Sequence, residues 1–172
     1  MIIILRLGHR PFRDQRISTH IGLTARALSA DKMIYTGQKD GKLEDSIRGV
    51  VNSFGGDFEI EHSESLKKTI NEHKKNGFKI VHLTVYGLPV QDQISKIKKS
   101  NDLLIIVGGE KVQSEVYQLA DYNISVTNQP HSEVTALAIL LHEYFNGKEL
   151  ENHIKGKMEI IPQERGKKVA KQ

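Results

Sequence analysis

The sequence predicts an α/β protein, a parallel sheet with helices packed on both faces. Three observations lead there. Short apolar runs alternate with longer stretches of 3.6-residue periodicity along most of the chain. The runs Ile80 to Val85 and Leu103 to Val107 read as strands buried on both faces, as the interior of a parallel sheet requires. No linker, repeat or low-complexity segment interrupts this pattern before about residue 151.

Taken in order, Ile2 to Leu5 is the first strand, followed by an arginine-rich stretch and a helix that bears Arg26. Met33 to Tyr35, Phe58 to Ile60 and Ile124 to Val126 complete the set of strands. Leu43, Ile47, Val50, Val51 and Phe54 mark a helical stripe that Gly55-Gly56 closes. Ser63 is placed to cap the next helix, which turns Leu66 and Ile70 inward and ends at Gly77. Pro89 suits a first helical turn, with Val90, Ile94 and Ile97 after it. The last helix carries Val134, Leu137, Ala138, Leu141 and Phe145, and Asn146-Gly147 ends it. One domain is expected over residues 1–161. Residues 162–172 are expected to be a flexible basic tail, having Gly166 and no apolar period.

Composition narrows the function. Hydrophobic residues make up 38% and charged residues 27%, an ordinary globular balance. No apolar run approaches the roughly 20 residues that cross a bilayer. The apolar start is too short for a signal peptide and lacks a basic leader, so it reads as a strand. The chain has no cysteine, which excludes disulfides, a cysteine nucleophile and thiolate metal sites. A cytoplasmic protein without membrane partners is expected.

The net charge of +4 is unevenly placed. Arg6, Arg10, Arg13 and Arg16 crowd together against Asp14 alone, and Lys157, Arg165, Lys167, Lys168 and Lys171 gather near the end. Such clusters neutralise phosphates and are the usual footprint of nucleic-acid binding. Arg10, Arg13 and Arg16 are the candidate nucleic-acid contacts, because arginine engages phosphate through a bidentate fork.

Ligands of open α/β sheets sit beyond the carboxyl ends of strands. Three strand ends are equipped for one: His82 to Pro89, where a strand turns through Gly87; Val107-Gly108-Gly109-Glu110-Lys111-Val112; and the polar loop Val126-Thr127-Asn128-Gln129-Pro130-His131-Ser132-Glu133. The dinucleotide fingerprint, the P-loop, the nucleophile elbow and metal-ligand histidine spacings are all missing. No metal is expected. A pocket rich in backbone groups remains, suited to a neutral or zwitterionic nucleoside ligand.

Three segments resemble the motifs of SpoU-type SPOUT methyltransferases. Thr19 to Ala27 is similar to the first, with Arg26 at the arginine position and His20 where asparagine is usual. Leu104-Ile105-Ile106-Val107-Gly108-Gly109-Glu110 is similar to the second, and Asn128 to Leu141-His142-Glu143 to the third. Leu7-Gly8-His9-Arg10-Pro11-x-Arg13-Asp14-x-Arg16 and Asn128 to Thr135 resemble, more narrowly, the archaeal tRNA cytidine-56 2′-O-methyltransferases. The likeness runs through residues 1–161.

Membership would imply a trefoil knot threaded by the last helix, a homodimer, S-adenosylmethionine (SAM) as cofactor and tRNA as substrate. Arg26 would then be the catalytic group. SAM would be held by Leu83, by Gly108, Gly109, Glu110, Lys111 and Val112, and by Val126, Thr127, Asn128, Gln129, Pro130, His131, Ser132 and Glu133. Two other readings keep some of these features: the same chemistry on another RNA site such as rRNA, and an RNA-binding module without catalysis.

Overall fold

The apolar runs assemble into a single six-stranded sheet. The computed structural model describes residues 1–109 and 112–171, with Gln15 described by its backbone alone. β1 (Ile2–His9), β2 (Lys32–Gly37), β3 (Glu59–His62), β4 (Lys79–Pro89), β5 (Leu103–Val107) and β6 (Tyr122–Ser125) lie in the order β3-β2-β1-β5-β4-β6. Every neighbouring pair is parallel. The crossovers are α1 (Pro11–Ala27), α2 (Gly41–Phe54), α3 (Leu66–Lys75), α4 (Val90–Ile97) and α5 (Ser114–Leu119), with α6 (Glu133–Phe145) following β6.

Strand alternation divides the core in two. Ile2 and Ile4 pack with Ile21, Ile47, Val90 and Leu137, on the face covered by α1, α2, α4 and α6. Ile3, Leu5 and Leu7 pack with Ile70 and Val116, on the face covered by α3 and α5. Each such fully buried side chain contributes roughly 1.5–3 kcal/mol. Among the described residues no helix is long and apolar enough to cross a membrane.

Local details depart from the sequence reading in four places. Ser65, not Ser63, caps α3 by accepting from the Lys68 amide, because it is the residue with extended backbone directly before the first turn. Ser63 instead bonds Thr69. Pro89 closes β4 and precedes the first turn of α4 rather than lying in it. The end of the chain forms an antiparallel hairpin of β7 (Met158–Ile161) and β8 (Lys168–Lys171), across the boundary expected at residue 161. A strand of Lys-Val-Ala-Lys has almost no pattern to read, since its pairing is through the backbone. The hairpin is led in by Lys155-Gly156, which lies against the end of α2. There Gly55 has φ +80, and a Cβ on it would collide with the Lys155 carbonyl.

The fourth departure shapes the site. Ile124 of β6 registers with both Leu83 and Leu88 of β4. Residues 84–87 therefore leave the ladder and arch past Ile124. A Cβ at Gly87 would stand 2.5 Å from the backbone of Ile124, so only glycine passes there.

Candidate active site

A cavity of about 250 Å³ opens where β4 and β5 end and α6 begins. β4 contributes His82, Leu83, Thr84, Val85 and Tyr86; the segment after β5 contributes Gly108, Gly109 and Val112; α5 contributes Tyr117. His131, Ser132, Glu133 and Ala136 close it at the start of α6, where the Ser132 side chain accepts from the Val134 amide. The three strand ends singled out in the sequence thus meet in one place. Of the residues expected there, Leu83, Gly108, Gly109, Val112, His131, Ser132 and Glu133 line the cavity.

Val126, Thr127, Asn128, Gln129 and Pro130 do not line it. They form the approach to α6, and Asn128 ties that approach to the arch by donating from Nδ2 to the Val85 carbonyl at 2.6 Å. Glu110 and Lys111 lie outside the described residues. Gly108 faces Val112, whose methyl occupies the space a Cβ would need.

One lining side chain has an unused polar atom. Asn123 donates from Nδ2 to the Tyr117 carbonyl at 2.9 Å, which turns its Oδ1 toward His82 Nδ1, 2.8 Å away. His82 Nδ1 therefore carries the proton and Nε2 is a bare acceptor. That Nε2 is buried with no partner among the described residues. Burial pushes the His82 pKa down, partly offset by the bond to Asn123, so the ring stays neutral.

Behind the cavity stands a buried arginine. Arg6 is 2% exposed; its Nη1 donates to the Gly108 carbonyl and its Nε to Ser18 Oγ at 3.4 Å. Burial lowers its pKa, opposed by the fields of Glu133 and Asp14. Ser18 also meets His9 Nδ1 at 2.9 Å, and His9 Nε2 meets Asp40 Oδ2 at 3.1 Å. The order Ser18-His9-Asp40 resembles a hydrolase triad, but Ser18 and His9 are 0% exposed and no substrate can reach them. The set is a polar bracket. It joins the end of β1, the middle of α1 and the N-cap of α2, where Asp40 accepts from the Lys42 and Leu43 amides.

α1 begins beside the cavity and ends far from it. Leu7, near its start, has its carbonyl 3.9 Å from the Cβ position of Gly109. Arg10, Arg13 and Arg16 are exposed along the first turns, with Arg10 Nε bonded to Asp14 at 2.9 Å. Arg26 lies 15 residues beyond Pro11, about 22 Å along the helix axis. Within one chain it does not reach the cavity. It borders a second cleft of about 560 Å³, walled by Leu23, Val50, Phe54, Ile154 and Ile160. Arg26 Nη2 donates to the Gly55 carbonyl at 2.7 Å, while its buried Nε has no partner among the described residues. Burial lowers its pKa.

Comparison with known proteins decides the family. Residues 54–170 match the family described as tRNA ribose 2′-O-methyltransferase, aTrm56. A tRNA (cytidine(56)-2′-O)-methyltransferase of Thermococcus kodakarensis is 53% identical over 98% of this chain and 96% of its own. One from Methanocaldococcus jannaschii is 50% identical over 100% and 97%. The chain belongs to this family of archaeal tRNA ribose methyltransferases.

Among solved structures, the TrmH/SpoU tRNA modifying enzyme of A. aeolicus superposes with TM-score 0.63 at 18% identity, covering 87% of this chain and 76% of that one. The SpoU methyltransferase AviRb of Streptomyces viridochromogenes, crystallised with AdoMet, gives 0.64 at 16% identity over 86% and 57%. These likenesses establish a SPOUT-type fold for this member of the family.

His82, Thr84 and Tyr86 lie in the strand end His82 to Pro89 that the sequence singles out, whereas Tyr117 and Ala136 were missed as lining residues, and Arg6 as their support. For Arg6 a signal was present: a charge inside Ile2-Ile3-Ile4-Leu5-Arg6-Leu7 has to be paired if the strand is central. For Tyr117 there was none, since a short helix with one buried residue leaves no period to read.

Proposed function

We infer that this chain transfers a methyl group from SAM to the ribose 2′-hydroxyl of cytidine 56 in tRNA. The observation that carries the reading is the near-full-length identity of about half with relatives that bear that activity in their names. The cavity supports it, being rich in backbone groups and lined by Gly108 and Gly109.

SAM, when bound, supplies a methyl group already activated on a sulfonium. The chain must align the hydroxyl with it and help remove a proton, because a ribose hydroxyl is a poor nucleophile near neutral pH. Leu83, Gly108, Gly109, Val112, Ser132 and Glu133 are the groups to hold the cofactor, with the 126–130 segment fixing the arch over it. Arg26 is the catalytic group, set against the hydroxyl and the adjacent phosphate. It acts either as base or as electrostatic stabiliser: burial lowers its pKa, and in its charged form it offsets the developing alkoxide.

Arg26 serves the cavity of a second copy. The 22 Å offset within the chain supports this, and the apolar cleft around Arg26, with Ile154 and Ile160 exposed, is a surface a partner would cover. A homodimer follows. The arch of residues 84–87 past Ile124 supports the threaded chain that the family likeness implies. The test is transfer of labelled methyl from SAM to an unmodified tRNA transcript. Incorporation near one methyl per tRNA is expected, and a protein that binds tRNA without transferring label would be the non-catalytic RNA-binding module instead.

A further inference from the structure

Phe12 is exposed to 105% of its reference area, the greatest exposure of any large apolar side chain among the described residues. A single exposed apolar side chain is ordinary, so what matters is where this ring is displayed and what surrounds it. It sits at the second residue of α1, directly after Pro11, which fixes the backbone at the helix start. The ring is therefore displayed from a rigid element rather than from a loop.

Its neighbours are cationic. Arg10 precedes it by two residues, Arg13 follows it, and Arg16 lies one helical turn on, at i+4. Arg13, Arg16 and His20, all exposed, continue as a stripe along the helix. Asp14 is the acidic residue of these turns, and it is 8% exposed and bonded to Arg10. The surface around the ring is thus basic rather than apolar. A second protein copy would find no apolar rim to bury here, whereas a polyanion with flat, unpaired π-faces matches both halves.

The place also matters. β1 ends against the Gly109 segment, and α1 starts from that end. Phe12 therefore stands on the same edge of the sheet as the cavity.

We propose that Phe12 is a stacking platform for an unpaired tRNA base next to the nucleotide presented to the cavity, with Arg10, Arg13 and Arg16 holding the flanking phosphates. This rests on the reading of the chain as a tRNA methyltransferase. Stacking on a flat face is tolerant of base identity, so Phe12 adds affinity and register, not sequence choice.

The chain contains no tryptophan, so Phe12→Trp places a single reporter at the site. Emission of that indole is expected to be quenched as unmodified tRNA is added, along the same binding curve that filter retention gives. Phe12→Ala and Phe12→Leu are both expected to raise KM for tRNA about tenfold with SAM affinity unchanged, while Phe12→Trp and Phe12→Tyr keep it. Leucine is the discriminating change, since it retains apolar area and loses the π-face. Full tRNA binding without quenching, or a Phe12→Leu enzyme with the wild-type KM, overturns the stacking role and leaves the methyltransferase reading intact. An altered oligomeric state in Phe12→Ala overturns it in favour of a contact between copies. Failure of the wild-type protein to retain tRNA at all overturns the underlying functional reading as well.

Discussion

Arg6 Nη1 donates a hydrogen bond to the carbonyl oxygen of Gly108, so a guanidinium buried in β1 holds the glycine segment that lines the cavity. The same side chain reaches Ser18 on α1. One residue thus ties the proposed cofactor site to the helix whose first turns carry the arginines proposed to hold RNA.

Arg6→Met is expected to weaken SAM binding at least tenfold and to cost roughly 1–3 kcal/mol of stability, because Gly108 and Ser18 lose a buried donor. Titration calorimetry with SAM and urea unfolding measure the two effects. A variant that unfolds as easily as predicted yet binds SAM normally would show that the Gly108 segment holds itself.

Arg26→Ala is expected to abolish nearly all methyl transfer while SAM affinity stays within a few fold, since Arg26 does not line its own chain's cavity. Service in trans adds a second outcome. Mixing Arg26→Ala subunits with subunits whose cavity is blocked by Gly109→Val should restore about a quarter of wild-type activity, as half the dimers are mixed and each has one intact site. No recovery after subunit exchange would place Arg26 elsewhere in the mechanism.

How much of this was legible in the sequence differs between fold and site. The strands announced themselves because Ile80 to Val85 and Leu103 to Val107 lie between helices and must be apolar. The meeting of three strand ends was also readable, because parallel crossovers place all carboxyl ends at one edge. What could not be read is distance along a helix turned away from that edge. Arg13 and Arg26 share α1, and only the direction of the helix shows that its first turn starts from the cavity's edge of the sheet while Arg26 borders the far cleft. The arch at 84–87 was hidden too: Gly87 is visible in the sequence, but its reason, the backbone of Ile124, is 37 residues later in the chain.

The polar bracket predicts acid sensitivity. Burial pushes the Asp40 carboxyl up, but bonds from His9 and from the Leu43 and Lys42 amides outweigh it and leave its pKa below the ordinary 3.8. Asp14 is likewise lowered, its burial outweighed by Arg10. A depressed carboxylate stabilises the fold above its unfolded pKa and loses that contribution as pH falls through the folded value. Stability should therefore decline as the pH falls below about 4, the ordinary carboxylate range, toward the lower folded values. Asp40→Asn, which can still cap α2, should flatten part of that decline; melting curves across pH that superpose for the two proteins would contradict it.

Two glycines of one helix should respond in opposite senses. Gly55→Ala forces a side chain into positive φ and against the Lys155 carbonyl, and should cost about 1–3 kcal/mol. Gly49→Ala lies inside α2 with nothing within 4 Å of the new methyl, and should gain roughly 0.5–1 kcal/mol from helix propensity. Thermal unfolding of the pair checks the packing of the 154–156 segment on α2. Equal melting temperatures would mean that the segment does not rest there.

The central claim is that a ribose hydroxyl at cytidine 56 of tRNA receives the methyl group. It is tested most directly with two transcripts that differ by one oxygen, one carrying cytidine and the other 2′-deoxycytidine at position 56, each incubated with labelled SAM and the protein. The account predicts one methyl on the first, mapped by nuclease digestion to position 56, and none on the second. Equal labelling of both transcripts would contradict it, because the methyl would then reside on a base or at another nucleotide.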